Sequence, residues 1–212
     1  MSKDQSTNVR RPLRVGITGG IGSGKTTVCE IFQSLGIPVY SADYWAKWLI
    51  EHDDQVKAGV LKILGPEAYD PDGAYNRAWV ARIVFDQPEK LADLNALVHP
   101  AVEAHSRRWH DAEMEKGAPY TLREAALLIE SGGYHFVDAL IVVTAPEALR
   151  IERVMQRDQV DAAAVKARMS KQMPEAEKLA FADFVIHNDG QTALIPQVLA
   201  IHRQLTGQNK SK

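Results

Sequence analysis

A glycine-rich segment near the start of the chain carries the clearest chemical signal. Residues 19–26 read Gly-Gly-Ile-Gly-Ser-Gly-Lys-Thr and fit the pattern G-x-x-x-x-G-K-[ST]. Glycines let backbone N–H groups curl around phosphate oxygens, and the N-terminus of a following helix favours an anion. Lys25 can then reach the β- and γ-phosphates of a nucleotide, and the Thr26 hydroxyl can help to hold Mg²⁺. A glycine turn that binds nothing is disfavoured, because a strand pattern precedes this segment and a helix pattern follows it.

A carboxylate, Asp43, follows the second strand pattern directly. The carboxyl ends of parallel strands converge on the ligand crevice, where a carboxylate could accept a proton from an attacking hydroxyl or bind a metal. Asp43 could equally be the N-cap of a helix that begins at Tyr44. Glu124 and Glu130, near and after the third strand pattern, are also open between orienting metal-bound water and ending a strand. His99, before Pro100, is predicted to enter a helix.

A basic run extends from Arg150 to Lys171, with six basic and three acidic residues. One interpretation is a mobile lid whose arginines close over the transferring phosphate and exclude water. The other is an ordinary solvated helix face, because charged helices are usually exposed.

The elements that must position these residues alternate between strands and helices. Short apolar runs predict five strands, at residues 14–18, 37–40, within 120–129, 140–144 and 184–187. Apolar residues at helical spacing follow the glycine segment as far as Gly36, and Leu194 to Leu205 form another amphipathic helix. About eighty residues between the second and third strands contain only helical patterns, with a turn at 70–73 and helix starts at Pro88 and Pro100. Strands separated by helices predict a parallel sheet covered on both faces.

Composition limits the class of protein. The 212 residues are 45% hydrophobic and 25% charged with a net charge of −2, which predicts one globular domain with a smaller added part and no duplex nucleic acid as partner. The single cysteine, Cys29, excludes an internal disulfide, and it is predicted to fill the core. Neither an export signal nor a membrane span is predicted, so a cytoplasmic protein is expected.

Several further short motifs occur along the chain in addition to the glycine-rich segment. The chain reads Thr-Gly-Gly-Ile-Gly-Ser-Gly-Lys-Thr at 18–26, Ala-Asp at 42–43, Leu-Asn-Ala-Leu-Val-His-Pro at 94–100, Leu-Leu-Ile-Glu at 127–130, Gln-Arg-Asp at 156–158, and Asn-Asp-Gly at 188–190. Asp72, Gly73, Arg77, Phe85, Gln172, Ala182 and Asp183 extend the match. Over nearly its whole length the sequence resembles the dephospho-CoA kinase family. Three positions depart from the family's usual residues: Ser41 for aspartate, Lys47 for arginine and Ala126 for proline.

The resemblance implies a nucleoside-monophosphate-kinase-like P-loop fold of the α/β class, with a five-stranded parallel sheet core flanked by helices, an inserted helical substrate domain and a lid. It predicts a flexible lead-in at 1–12, a core at 13–52 and 118–207, a lid at about 150–171, a helical CoA-binding insertion at 53–117 and a flexible tail at 208–212. The implied activity is the ATP- and Mg²⁺-dependent phosphorylation of the 3'-hydroxyl of dephospho-CoA, the last step of coenzyme A synthesis. A monomer or weak homo-oligomer without nucleic-acid or membrane partners is expected.

Residue roles follow from the same resemblance. Asp43, Lys25 and Arg157 are the expected catalytic residues, Arg157 acting from the lid. Asp43, Arg77 and His99 are expected on the acceptor side, and Thr26 at the metal. The expected ATP-binding residues are Gly20, Ile21, Gly22, Ser23, Gly24, Lys25, Thr26, Thr27 and Asn188, the last near the adenine.

Two alternatives remain open. The same core and lid would serve a kinase of nucleoside monophosphates or of a related small metabolite, although the helical insertion with residues 95–100 argues against it. A nucleotide-sensing switch without transfer activity would need a guanine-reading Asn-Lys-x-Asp segment, and residues 186–190 read Ile-His-Asn-Asp-Gly instead.

Overall fold

The protein is built on a five-stranded, all-parallel sheet. The structure, a computed structural model, describes residues 13–207, so the predicted lead-in at 1–12 and tail at 208–212 lie outside the described residues. The strands are β1 (Leu13–Thr18), β2 (Val39–Ser41), β3 (Tyr120–Glu124), β4 (Ala139–Thr144) and β5 (Phe184–His187), in the spatial order β2-β3-β1-β4-β5. Five predicted strands are thus confirmed. The second begins two residues later than expected, because the Ile37 N–H bonds back to the Phe32 carbonyl at 3.1 Å and ends the preceding helix.

Helices cover both faces of this sheet, as the near-continuous apolar strands require. They are α1 (Lys25–Ser34), α2 (Ala42–His52), α3 (Asp54–Leu64), α4 (Arg77–Asp86), α5 (Pro88–Glu115), α6 (Glu147–Asp158), α7 (Ala162–Met169), α8 (Glu175–Leu179) and α9 (Leu194–Leu205). The predicted stop after α1 is confirmed, since Gly36 has a φ of 78°, a conformation that favours glycine. The predicted turn at 70–73 is confirmed by a 2.8 Å bond from the Gly73 N–H to the Asp70 carbonyl.

The predicted helix start at Pro100 is wrong, and so is the prediction that His99 enters a helix there. Both residues lie inside α5, which runs unbroken for 28 residues. An internal proline costs a helix about 3 kcal/mol or more. Buried residues continue across it, however, at a spacing of four: Leu94, Val98, Val102, Ser106 and His110. Burial of this stripe outweighs the local cost of the proline.

Two hydrophobic clusters divide the core at the sheet. One packs α1 and α9 against residues such as Val15, Ile17 and Ile141, and the other packs α2 to α5 beside Leu140 and Val142. Since α2 shares its cluster with α3 to α5, the insertion boundary at residue 53 stays a prediction. Between residues 13 and 207, no helix has both the length and the apolar character needed to cross a membrane.

Candidate active site

The glycine loop connects β1 to α1 at the carboxyl edge of the sheet. Its backbone turns through a 3.0 Å bond from the Ser23 N–H to the Gly20 carbonyl. Gly22 and Gly24 have φ values of 78° and 87°, in the left-handed region where a side chain would be strained. α1 begins at Lys25, so the loop presents the N-terminus of a ten-residue helix to this edge. The sequence prediction of strand, loop and helix is confirmed in this order.

Lys25 lies beside a carboxylate from the neighbouring strand. Its Nζ atom is 3.7 Å from Glu124 Oε1 at the end of β3, and both side chains are mostly buried. The other carboxylate oxygen of Glu124 accepts a 3.0 Å bond from the Ser41 hydroxyl at the end of β2. Glu124, which sequence reasoning left open, thus lies within the candidate site. Ser41, where the family often has aspartate, holds this carboxylate in place.

Asp43 stands at the same edge, in the first turn of α2. The N-cap of α2 is Ser41, so the interpretation of Asp43 as the N-cap of a helix beginning at Tyr44 is wrong. The Asp43 side chain is exposed, and its Oδ2 atom accepts a 3.4 Å bond from the Ala126 N–H. A proline at 126 would lack this N–H. The structure therefore gathers Lys25, Asp43 and Glu124 around the ends of three adjacent strands.

Three further predicted site residues lie on other helices. Arg77, at the start of α4, is half-exposed and has its Nη2 atom 3.3 Å from Glu51 Oε1. His99 lies on α5, where desolvation and the charge of Arg123 lower the pKa of its imidazole. Arg157, at the end of α6, bonds Asp158 through Nε at 2.7 Å with a side chain that is 63% exposed. Arg157 thus pairs with its neighbour in the sequence, and its role in catalysis stays a prediction.

Asn188 lies against the glycine loop. Its Nδ2 atom donates to the Ser23 carbonyl at 2.8 Å, and its Oδ1 atom accepts from Arg153 at 3.3 Å. Arg153 also approaches the Gly22 carbonyl at 3.5 Å. Sequence reasoning placed Arg153 only within the basic run. The expected approach of Asn188 to the adenine stays a prediction.

One arginine of the basic run, Arg150, is buried. The residue is 7% exposed, so the interpretation as a solvated helix face is wrong for this residue, and the lid stays a prediction. Its Nη2 atom pairs with Glu175 at 3.1 Å, and its Nε atom donates to the Ala145 carbonyl. Burial raises the pKa of Glu175, and the charge of Arg150 opposes that rise. The Thr144 hydroxyl donates to the other Glu175 oxygen. This pairing escaped sequence reasoning, because its two charges are 25 positions apart in the sequence with α7 between them.

Glu130 pairs with a buried lysine. Its Oε1 atom accepts from Lys178 Nζ at 2.7 Å and from the Met173 N–H at 3.0 Å. Burial opposes ionisation of this carboxyl, but Lys178 and the backbone N–H outweigh it and hold the pKa of Glu130 below its usual value. Lys178 is only 1% exposed. Glu130 therefore anchors residues 173–178 to the core.

Cys29 lies on the buried face of α1, as predicted. Burial and the nearby carboxylate of Glu124 raise the pKa of its thiol to about 12. The thiol stays protonated at neutral pH and fills the core.

Known proteins are similar to this chain over most of its length. The family model of dephospho-CoA kinase matches residues 13–193. A dephospho-CoA kinase of Syntrophotalea carbinolica is 41% identical over 178 residues, which cover 84% of each chain. The solved dephospho-CoA kinase of Campylobacter jejuni is 26% identical, with a TM-score of 0.69 over 93% of this chain and 98% of that chain.

A more distant neighbour bears on the fold alone. A shikimate kinase from Acinetobacter baumannii superimposes with a TM-score of 0.52 at 14% identity, covering 94% of this chain and 96% of that chain. The P-loop kinase fold expected from the sequence is thereby confirmed. Since the family model and a relative at 41% identity both span most of the sequence, this chain belongs to the dephospho-CoA kinase family.

Proposed function

We propose that this protein transfers the γ-phosphoryl group of ATP to the 3'-hydroxyl of dephospho-CoA and releases coenzyme A and ADP. One observation carries the proposal beyond family membership. A phosphate loop with its lysine and an exposed carboxylate, Asp43, meet at one edge of the sheet. A phosphoryl donor and a hydroxyl acceptor can therefore be held side by side there.

The loop would bind the donor. Backbone N–H groups of residues 22–26 and the start of α1 face the phosphates, and Lys25 compensates the charge of the β- and γ-phosphates. At 3.7 Å, the contact between Lys25 and Glu124 is long for a charge-assisted hydrogen bond. Lys25 can consequently turn from Glu124 to a phosphate without losing a strong partner.

Asp43 would act on the acceptor. The ribose 3'-oxygen forms a bond to the γ-phosphorus while the bond from that phosphorus to the bridging oxygen of ADP breaks. The hydroxyl proton passes to an Asp43 oxygen late in the step. The Ala126 N–H keeps one oxygen of Asp43 oriented, which leaves the other available to the hydroxyl.

Thr26 fits a role in holding Mg²⁺. Its side chain is exposed on the first turn of α1, and no cluster of three or more His, Cys, Asp or Glu side chains suited to a metal occurs among residues 13–207. Such a setting suits Mg²⁺, which takes one or two oxygen ligands from a kinase and the rest from phosphates and water. Bound there, the ion would neutralise charge on the β- and γ-oxygens.

The remaining predicted residues would act on binding and closure. Arg77 and His99, on α4 and α5, would contact the acceptor from the helical insertion. Arg157 would leave Asp158 on lid closure and stabilise the transferring group. Because Arg157 is largely exposed, exchanging one carboxylate partner for a phosphate costs little.

An acceptor assay tests the proposal. ATP consumption is measured with dephospho-CoA, AMP, CMP and pantothenate in parallel, and the phosphate position on the product is mapped by phosphorus NMR. Turnover with dephospho-CoA and a 3'-phosphate on the product are expected. Preferential turnover of AMP or CMP would instead support the kinase of nucleoside monophosphates, and binding of ATP without any transfer would support the nucleotide switch.

A further inference from the structure

Backbone groups of the phosphate loop are held by side chains that lie far away in the sequence. Gln172 Oε1 accepts a 2.9 Å bond from the Ile21 N–H. Arg153 approaches the Gly22 carbonyl at 3.5 Å, and Asn188 donates to the Ser23 carbonyl at 2.8 Å. Three successive residues of the loop therefore each have one backbone group held from outside.

Because the peptide group is planar, a contact that holds one N–H also determines the direction of the C=O in the same peptide. In a trans peptide the N–H and the preceding C=O point in opposite directions. The Ile21 N–H points outward to Gln172, so the Gly20 carbonyl of the same peptide points inward, where it accepts the Ser23 N–H at 3.0 Å. Gln172 thus fixes the first peptide of the turn from which the phosphate-facing N–H groups follow.

The segment that carries Gln172 is itself anchored. The next residue, Met173, donates its N–H to Glu130, and Glu130 pairs with the buried Lys178. On the other side, Lys171 Nζ lies 5.7 Å from the centre of the Phe85 ring in α4. Gln172 therefore lies on a segment that is held at the residues on either side of it, and these contacts limit the movement of its amide away from Ile21.

We propose that Gln172 is a positioning residue for the donor phosphates. Its amide oxygen holds the Ile21 N–H and thereby presets the N–H groups that receive ATP. This inference deepens the proposed function, because it rests on the loop binding ATP, and it does not depend on the identity of the acceptor.

Two substitutions remove the contact in different ways. Gln172→Met keeps the length of the side chain without a strong acceptor, and Gln172→Asn keeps the amide but shortens the reach by one methylene. Both are expected to weaken MgATP binding by about 3- to 10-fold, the range of one net hydrogen bond. Isothermal calorimetry with MgATP and no acceptor measures this. Affinity for dephospho-CoA should stay within about twofold, since the acceptor residues do not contact Ile21.

A neighbouring hydrogen bond provides the matched control. Ser170 Oγ donates to the Ala167 carbonyl at 3.0 Å on the exposed side of the same segment. Ser170→Ala should leave MgATP binding unchanged. A purely structural role of Gln172 predicts a different pattern, with a lower melting temperature and equal losses of affinity for both substrates.

Hydrogen exchange at the Ile21 amide supplies a second readout. Gln172→Glu retains an oxygen within reach, so the Ile21 N–H should remain protected in this variant and exchange faster in Gln172→Met. Unchanged MgATP affinity in both Gln172→Met and Gln172→Asn would overturn the proposal, and so would equal losses for MgATP and dephospho-CoA. Because the calorimetry contains no acceptor, failure of the dephospho-CoA assay would not affect the result.

Discussion

The phosphate loop and the acceptor residues meet at one edge of the sheet, but they are built differently. Gln172, Arg153 and Asn188 hold successive backbone groups of the loop from outside. On the acceptor side, Asp43 is exposed with one 3.4 Å backbone contact, and Arg77 pairs with a single glutamate at the surface. The donor loop is thus supported by side chains from elsewhere in the chain, whereas the acceptor side presents exposed side chains with few contacts.

The difference follows from which groups do the binding. Phosphate binding by a loop needs several backbone N–H groups to converge, and one misdirected peptide plane removes a donor that no rotamer change can restore. Long side chains can instead adapt to an acceptor at a cost of about 0.5–1.5 kcal/mol for each one that is immobilised. We therefore expect donor-side substitutions to change ATP binding or turnover without changing acceptor affinity. Acceptor-side substitutions should lower turnover at Asp43 and acceptor affinity elsewhere.

The largest expected effect comes from the exposed acceptor side. Asp43→Asn removes the proton acceptor but keeps the size, so kcat should fall by about 10²- to 10⁴-fold while MgATP and dephospho-CoA bind within about tenfold. Steady-state kinetics beside calorimetry measures both. Asp53→Asn is the matched control, because Asp53 is the N-cap of α3, bonded to the Gln55 and Val56 N–H groups at 3.0 Å, and Asn caps about as well. Unchanged turnover in Asp43→Asn would refute the catalytic assignment.

Lys25→Ala tests the charge that the phosphate loop presents to the donor. Loss of the ammonium should lower kcat by on the order of 10²-fold or more, because the charge that develops on the phosphates is then uncompensated. Circular dichroism should show an intact fold. Lys116→Ala, on an exposed lysine paired with Glu113, should retain full turnover. A folded Lys25→Ala enzyme with near-normal turnover would contradict the phosphate-loop assignment.

Arg157→Ala tests whether Arg157 contributes to phosphoryl transfer or to binding of the acceptor. We expect kcat to fall by about tenfold, because Arg157 acts on the transferring group only after closure, and dephospho-CoA affinity to change little. Single-turnover kinetics and calorimetry separate the two. Arg107→Ala is the control, since Arg107 makes a similar pair with Glu103 on α5. Equal activity of the Arg157→Ala variant and the wild type would support the alternative interpretation, in which Arg157 is part of a solvated helix face.

The smallest effect is expected at Arg77. Arg77→Ala should raise KM for dephospho-CoA by about 3- to 10-fold, as loss of one hydrogen bond at an exposed site predicts, with KM for ATP and kcat nearly unchanged. Substrate titrations at saturating partner measure these constants. A rise in KM for ATP instead would show that the two sides are not independent.

The sequence by itself determined the order of the elements and the location of the loop. Apolar runs gave the strands, and the glycine spacing before a helical pattern placed the phosphate loop between β1 and α1, because both signals are local and repeat with the period of the element. The resemblance carried by residues 18–26 and 94–100 led to the family that the comparisons confirm.

Only the tertiary structure decided which charges meet. Glu124 lies beside Lys25 because β3 and β1 are adjacent in the sheet, and Gln172 reaches Ile21 across 151 residues. The unbroken α5 likewise depends on a buried stripe that compensates for Pro100. Contacts between distant residues depend on strand order and packing, which no local period encodes, so neither the partner of Glu130 nor the support of the phosphate loop could be predicted from the sequence.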